Sequence, residues 1–410
     1  MLPTPSDPRA WNRARLGVGL AGFSSFLGVY ATQPLLPTLE RTFGVSEATA
    51  ALTVSGSTIA IAIASPFAGL VAARADHRRV IAMAALLLSV PMLLAATATS
   101  IPVLVMWRAA HGLVVPFTYA VAVAYISEEW PTEGVGRAMS SLLTGNILGG
   151  ASGRIIGGTA ASLGGWRAAF VALGLTTLAG ALAASRALAA PEGAHRRAST
   201  PPAHGGGLVG SLGLLVRHPR LAATCAVGFN VLFTQVATFT YVTFHLAGSP
   251  HHLGPRALGW LFLVYLVGAA ATPVAGRLVD RVGSRRVLWT ALATVVAGCA
   301  ITLAPSVAMV AAGLTAICTG VFVSQVASTT FLRAVAPAGT RGAASGLYVS
   351  SYYVGGAAGA VVPALAWERG GWPATVAVVA GVQLLTLAIA WRAWRSPPAA
   401  PPGPTVLEPG

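Results

Sequence analysis

The sequence predicts an all-α membrane protein with twelve transmembrane helices, arranged as two six-helix parallel repeats with both termini in the cytoplasm. Of its 410 residues, 55% are hydrophobic and only 9% are charged, whereas about 25% of the residues of a soluble protein are charged. Apolar segments of the length that crosses a bilayer recur along the chain, and the two halves of the sequence resemble each other. These three observations carry the prediction of fold class.

Twelve apolar segments reach the length of about 20 residues that a membrane-spanning helix needs. The first is interpreted as a span because no small-residue cleavage site follows it. The predicted spans are 16–37, 48–72, 80–99, 102–126, 138–162, 167–187, 221–246, 257–279, 287–306, 308–332, 342–366 and 372–391.

The arginines predict the orientation of these spans. With both termini inside, twenty arginines lie in cytoplasmic segments and four in outer segments, which matches the excess of basic residues in cytoplasmic loops. The segment 188–220 is rich in Pro, Gly and Arg and is predicted to be a cytoplasmic linker between the halves 1–187 and 221–395. The proline-rich stretch 396–410 is predicted to be a disordered tail.

Composition also argues against several classes of protein. The 26 basic residues outnumber the 11 acidic ones, but they form short clusters between apolar runs and no single patch for nucleic acid. Cys225, Cys299 and Cys318 lie far apart within apolar segments, so they lack the spacing of a metal site. We therefore expect no metal, no cofactor, no nucleic-acid partner and no enzymatic activity.

The two halves repeat with a nearly constant offset. A glycine-rich stretch and the tryptophan after it recur 206 residues later, and the loop 69–79 recurs as 276–286 at an offset of 207. Parallel repeats of six spans are a known architecture of transporters, in which the substrate binds near the midplane between the halves. The matched pairs of the first region are Gly149 with Gly355, Gly150 with Gly356, Gly153 with Gly359 and Trp166 with Trp372.

Four motifs resemble those of the major facilitator superfamily. "GLVAARADHRR" (69–79) and "GRLVDRVGSRR" (276–286) resemble its signature loop, and "RAAHG" (108–112) resembles the span 4 motif of proton-coupled members. "GGASGRIIGG" (149–158) resembles the glycine-rich antiporter motif of span 5, with Arg154 where that motif has proline. The resemblance implies a monomeric member of the twelve-helix drug:proton antiporter branch, among the efflux permeases of the bacterial inner membrane.

The signature loop implies a set of gating residues. Asp280 and Arg281 are expected to form an ion pair between helices that locks an outward-facing state. In the first copy Ala73 stands at the acid position, and Asp76 is the candidate replacement. Simple anchoring of the arginines on the cytoplasmic side is the alternative. The residues assigned to these loops are Gly69, Arg74, Asp76, Arg78, Gly276, Asp280, Arg281, Gly283 and Arg285.

A glycine stripe predicts close helix packing in span 5. Gly145, Gly149, Gly153 and Gly157 recur every four residues and so share one helical face, which lets a neighbouring helix approach closely. Gly112 is expected to serve the same purpose on span 4.

Two arginines lie inside predicted spans, which makes Arg108 and Arg154 candidates for function, with snorkelling to the interface as the alternative. His111 lies one turn from Arg108. It is interpreted either as a residue that couples transport to protons or as a neutral histidine that forms hydrogen bonds. No acidic residue falls inside a predicted span. A coupled proton would therefore use His111, an interfacial acid such as Glu40 or Glu128, or the substrate itself, and the arginines favour an anionic or strongly polar substrate.

Further polar residues are candidates for the lining of a substrate cavity, with ordinary hydrogen bonding between helices as the alternative. They are Tyr30, Gln33, Asn146, Asn230, Thr234, Tyr241, Gln325, Tyr348 and Tyr352. The sequence thus predicts a secondary transporter, and the family resemblance implies that it exports a small organic solute or drug in exchange for protons. An importer or uniporter of a small organic anion is one alternative, and a non-transporting receptor or scaffold on the same fold is another.

Overall fold

The computed structural model describes residues 8–72, 75–130, 134–188, 213, 215, 217–337 and 340–394, and these are helical with short connections and no strand. The linker prediction therefore lies mostly outside the described residues, as do the tail 396–410 and Arg74. The helices are α1 Pro8–Leu27, α2 Leu36–Phe43, α3 Glu47–Ala72, α4 His77–Ala95, α5 Ile101–Glu129, α6 Val135–Ala187, α7 Pro219–Ala247, α8 Pro255–Leu261, α9 Val264–Ala270, α10 Thr272–Val282, α11 Ser284–Ile301, α12 Val307–Val335, α13 Arg341–Val361 and α14 Ala364–Ala393.

In the described part of the chain, nine helical stretches are long and apolar enough to cross a membrane. One of them, α6, has 53 residues and would extend about 80 Å if straight, far more than the hydrocarbon core of about 30 Å. The count of twelve crossings and the location of the termini stay predictions.

Paired glycines break α6 and α14 at equivalent places. Gly165 has φ +76° and Gly371 has φ +56°, a backbone region in which glycine is favoured because it has no Cβ. The two positions are 206 residues apart, and each directly precedes a tryptophan of the repeat. The breaks fall between predicted spans 5 and 6 and between predicted spans 11 and 12.

Two predicted spans differ most from the helices of the structure. The segment 16–37 is wrong at both ends, because α1 runs from Pro8 to Leu27 and is followed by tight turns and a 3-10 helix, Gln33–Leu35. The segment 257–279 is divided into α8, α9 and α10. Pro273 at the start of α10 contributes to that division, since proline has no N–H to continue a helical ladder.

The internal repeat extends to the packing of the glycine faces. Any side chain at Gly149 of α6 would overlap the carbonyl oxygen of Phe23 in α1, and any side chain at Gly355 of α13 would overlap that of Phe229 in α7. Gly149 and Gly355 are 206 residues apart, and so are Phe23 and Phe229. Equivalent helices therefore pack in the same register in both halves. The other glycine contacts are Gly145 with Gly19, Gly153 with Leu27, Gly157 with Ala31, Gly359 with Phe233, and Gly112 of α5 with Ser57 of α3.

Candidate substrate site between the two halves

The two halves meet at the ends of their helices that the arginine distribution places outside. Ser55 Oγ of α3 donates a hydrogen bond to the carbonyl oxygen of Ala357 in α13 over 3.3 Å. A second contact joins α6 to α8, where Gly158 leaves no room for a side chain against the carbonyl of Pro255. The outer ends are therefore closed by small residues and backbone, with α3 and α6 from one half and α13 and α8 from the other.

Arg154 of α6 lies at this junction and is only 2% exposed. Its Nε donates to Oε1 of Gln33 over 2.9 Å, and its Nη1 donates to the carbonyl of Gly150 over 2.8 Å. The snorkelling alternative does not describe this conformation, because the guanidinium is buried in protein.

Three aromatic rings surround the Arg154 guanidinium. Its Cζ is 5.1 Å from the ring centroid of Tyr30, 4.7 Å from that of Phe262 and 4.5 Å from that of Tyr265. Tyr30 belongs to the same half, whereas Phe262 and Tyr265 belong to the other. Cation–π contacts stabilise a cation by about 0.5–2 kcal/mol each, so part of the stabilisation of Arg154 depends on the closed arrangement of the halves.

Hydrogen-bond donors beside Arg154 are left unused. Arg154 Nη2 makes no hydrogen bond to any described residue, and no described carboxylate forms an ion pair with Arg154. Gln33 Nε2 is buried without a partner, and Tyr265 Oη makes no hydrogen bond of normal geometry although the Gln235 side chain lies close to it. Buried polar groups are nearly always hydrogen-bonded, so this cluster has donor capacity for a ligand with acceptor atoms.

Arg108 of α5 differs from Arg154 because its donors are all used. It is fully buried, and it donates to the backbone carbonyls of Gly28, Val29 and Thr53. Further contacts reach the Ser57 hydroxyl and the Met92 sulfur. Arg108 therefore supplies the donors that the end of α1 lacks where its regular ladder stops, and in this conformation it has no donor free for a substrate.

His111 lies one turn further along α5. It is fully buried, and both of its ring nitrogens lack a hydrogen-bond partner among the described residues. Its ring packs against Gly28, where an added Cβ would lie 2.5 Å from Nε2. A titratable ring thus lies against the break after α1, with the Arg108 cation on the same helix.

Several predicted lining residues hydrogen-bond within the C-terminal half instead. Asn230 and Thr234 of α7 both bond with Gln383 of α14, and the two amides exchange hydrogen bonds of 3.0 and 3.1 Å. Tyr241 donates to the carbonyl of Ala360 over 2.9 Å. For Asn230, Thr234 and Tyr241 the structure therefore describes the alternative interpretation, hydrogen bonding between helices.

The remaining predicted lining residues are more dispersed. Asn146 lies against Gly22 of α1, and its Oδ1 has no partner. Tyr348 shares a 2.8 Å hydrogen bond with Ser328, while Gln325 is half-buried and its side chain makes no hydrogen bond to described residues. The rings of Tyr352 and Tyr353 lie 5.3 Å apart, and Tyr353 packs with Tyr30 against one buried cluster, which brings α13 close to the end of α1.

The first copy of the signature loop is built on His77, which the sequence analysis did not single out. Its Nδ1 lies 2.6 Å from Glu129 of α5 and its Nε2 lies 2.8 Å from the carbonyl of Ala72. Arg78 also reaches Glu129, at 3.7 Å, and donates to the Tyr125 hydroxyl over 3.1 Å. These contacts tie the start of α4 to the end of α5.

Asp76 does not take over the predicted pairing between helices. Its carboxylate accepts from the backbone N–H groups of Arg78 and Arg79 and so caps α4. A capping role follows from its position, because an aspartate just before a helix satisfies donors that have no partner within the helix.

In the second copy of the loop, Asp280 and Arg281 are exposed and form no ion pair with a described residue. Gly283 has φ +85° and ends α10, and Arg285 stacks over Trp289 at 4.5 Å. Because the outer ends are closed here, the outward-facing ion pair stays a prediction for another state. Gly69 and Gly276 both lie within helices.

The fold and this junction define a multi-pass membrane protein of the transporter class. A profile of the Major Facilitator Superfamily matches residues 18–251 and 242–409, and the chain belongs to that family. It is 30% identical over 384 residues to the inner membrane transport protein YnfM of Escherichia coli, covering 93% of this chain and 91% of that one. It is 27% identical over 369 residues to the MFS-type transporter YybF of Bacillus subtilis, covering 90% of each.

Solved structures show the same fold. A bacterial homologue of the human lysosomal transporter Spinster, in an inward-facing and unoccupied conformation, gives a TM-score of 0.73 at 15% identity, covering 95% of this chain and 96% of that one. A mutant of the nucleoside transporter NupG gives a TM-score of 0.74 at 14% identity, covering 93% and 100%.

Proposed function

We propose that this protein is a secondary active transporter of the bacterial inner membrane that exports a small organic solute in exchange for protons. Its mechanism is alternating access, in which the two halves rock about the bound solute. The observation that supports this most is the junction of the halves. Each half is held internally by glycine faces packed on backbone, whereas the described side-chain hydrogen bond between the halves is the single one from Ser55 to Ala357.

This difference allows the halves to move as units. Separation of the outer ends breaks the contacts between small residues and removes the rings of Phe262 and Tyr265 from Arg154. It leaves the packing of α1 on α6 and of α7 on α13 unchanged. Closed outer ends correspond to an inward-facing state, and the inward-facing conformation named for the Spinster homologue supports that assignment. The name of the Escherichia coli relative supports the inner membrane as the location.

Proton exchange is proposed to pass through His111. The described carboxylates lie in short connecting helices, at helix termini or beside the break in α14, so an acid at mid-membrane depth is not among them. His111 combines burial with two unpartnered ring nitrogens, and it lies beside the α1 break. The resemblance of "RAAHG" to the span 4 motif of proton-coupled members favours the same assignment.

Import or uniport of a small organic anion is the second candidate. The specific observation in its favour is Arg154, a buried cation between the halves with no carboxylate partner. The receptor or scaffold alternative is disfavoured by the same junction, because a permanently rigid assembly gains nothing from unused buried donors.

The test is reconstitution of the purified protein into liposomes that contain a pH-sensitive dye, followed by addition of pooled drugs and metabolites. We expect a pool whose addition moves protons across the membrane, and we expect His111→Gln to remove the pH change while solute binding persists. Solute flux without a pH change would support the uniporter instead. Absence of flux with every pool, from protein shown to be folded, would contradict transport and leave the scaffold.

A further inference from the structure

We propose that Arg154 and Gln33 form the binding site for the carboxylate of a small organic anion. The proposal rests on the transport function above and names the chemical class of the solute. It goes beyond the family resemblance, because the antiporter motif of span 5 has proline at this position.

The charge of the site is the first argument. A buried ion is costly unless an opposite charge or hydrogen bonds compensate for it. Arg154 has two hydrogen bonds to neutral acceptors and three ring faces, and Arg108 adds a second buried cation in the same half. No described acidic residue pairs with either arginine, so an anionic solute would supply the missing charge.

The unused donors are the second argument. Arg154 Nη2 and Gln33 Nε2 belong to side chains that touch, since Arg154 Nε donates to Gln33 Oε1, and neither nitrogen has a hydrogen-bond partner among the described residues. Both groups donate, and a carboxylate is acceptor-only, with two oxygens and about four lone-pair sites. Hydrogen bonds from a charged donor to an anion are also stronger than those between neutral groups.

The junction also couples anion binding to the position of the halves. Phe262 and Tyr265 come from the half opposite Arg154, so opening of the outer ends withdraws both rings from the guanidinium. The cation and Gln33 then remain on the wall of the outer opening, where an anion replaces the rings as their partner. Because the anion binds the open state better than the closed one, it shifts the population toward the open state.

The experiment measures the separation of the outer ends in lipid nanodiscs. Spin labels are placed at the exposed positions Leu163 of α6 and Arg256 of α8 through cysteine substitutions. The three native cysteines are buried, which limits their labelling. The probes are benzoate, chosen because the site is lined by rings, and benzamide, which has the same shape without the charge.

We expect benzoate to increase the long-distance population several-fold and benzamide to leave it unchanged. Arg154→Gln should abolish the benzoate response. Arg167→Gln is the matched control, since Arg167 is an outer-end arginine of the same helix that is exposed and stacks on Trp166, and it should respond as wild type does. Should Arg154→Gln fail to fold, Gln33→Glu places a carboxylate of the protein beside Arg154 in place of that of the solute, and it should also abolish the benzoate response.

Equal responses to benzoate and benzamide would overturn the proposal, as would a benzoate response that survives both Arg154→Gln and Gln33→Glu. A wild-type protein that samples short and long distances without responding to benzoate would refute the anion site and retain alternating access. A wild-type protein that shows a single short distance under every condition would refute both the anion site and alternating access.

Discussion

Substitution of Arg108 by alanine should reduce stability, because the guanidinium completes the broken end of α1. The change removes donors from the carbonyls of Gly28, Val29 and Thr53 around a side chain with 0% exposure. The Gly28 carbonyl keeps a 3.4 Å bond from the Ala31 N–H and Thr53 lies within α3, so the Val29 carbonyl is the one left without a described donor. An unsatisfied buried acceptor costs about 1–3 kcal/mol, and truncation of a large buried side chain adds about 2 kcal/mol or more for the cavity, so we expect a loss of about 3–5 kcal/mol in the free energy of unfolding.

The assay is unfolding of the purified protein in mixed micelles by increasing SDS, followed by tryptophan fluorescence. Arg186→Ala is the control, because Arg186 is exposed and makes no side-chain hydrogen bond or ion pair with a described residue, and such substitutions usually change stability by about 0.5 kcal/mol or less. Arg108→Lys should recover part of the loss, since its ammonium donates to fewer carbonyls. Stability of Arg108→Ala within about 1 kcal/mol of wild type would refute the structural role assigned to Arg108.

Three further substitutions test other parts of the structure. Gln383→Leu should destabilise the C-terminal half by about 1–3 kcal/mol in the same SDS titration, because Asn230 loses its amide partner; an unchanged midpoint would contradict this. Gly153→Leu should prevent a folded, monodisperse protein in size-exclusion chromatography, since its side chain would overlap the Leu27 carbonyl, and a normal elution profile would contradict that packing. Glu40→Gln tests a carboxyl whose pKa is raised by burial and by the nearby Glu47. A raised pKa in the folded state means that the charged form is disfavoured there, so the variant should be more stable than wild type at pH 7, and the difference should vanish as the pH falls through the pKa of Glu40; a constant difference from pH 4 to pH 8 would contradict this.

The sequence predicted those features that depend on local pattern. The gaps between the predicted spans 138–162 and 167–187 and between 342–366 and 372–391 contain the breaks in α6 and α14, each with a glycine at positive φ before the repeated tryptophan. The four-residue spacing of glycines likewise predicted a close helix contact, and the offset of 206 residues recurs in the partners Phe23 and Phe229.

Partners supplied by distant segments could not be predicted from one sequence. The run from 16 to 37 conceals the end of α1 at Leu27, because it carries no charge throughout, and because the carbonyls of Gly28 and Val29 just after the helix are bonded by Arg108 from α5. Similarly, helical periodicity places Asn230 and Thr234 on one face of α7, but it does not say that this face meets Gln383. The rings of Phe262 and Tyr265 reach Arg154 only because the halves close, and no spacing within either half encodes that contact.

The most direct test of the central claim is a reversible cross-link between the halves at Ser55 and Ala357, where the closed outer ends share a hydrogen bond. The double variant Ser55→Cys with Ala357→Cys is reconstituted with a transported solute from the liposome screen, and flux is measured after oxidation and again after reduction. Alternating access predicts that oxidation abolishes flux, that reduction restores it, and that each single-cysteine variant transports under both conditions. Full flux through protein shown to be cross-linked would contradict the claim that the halves must separate at this end.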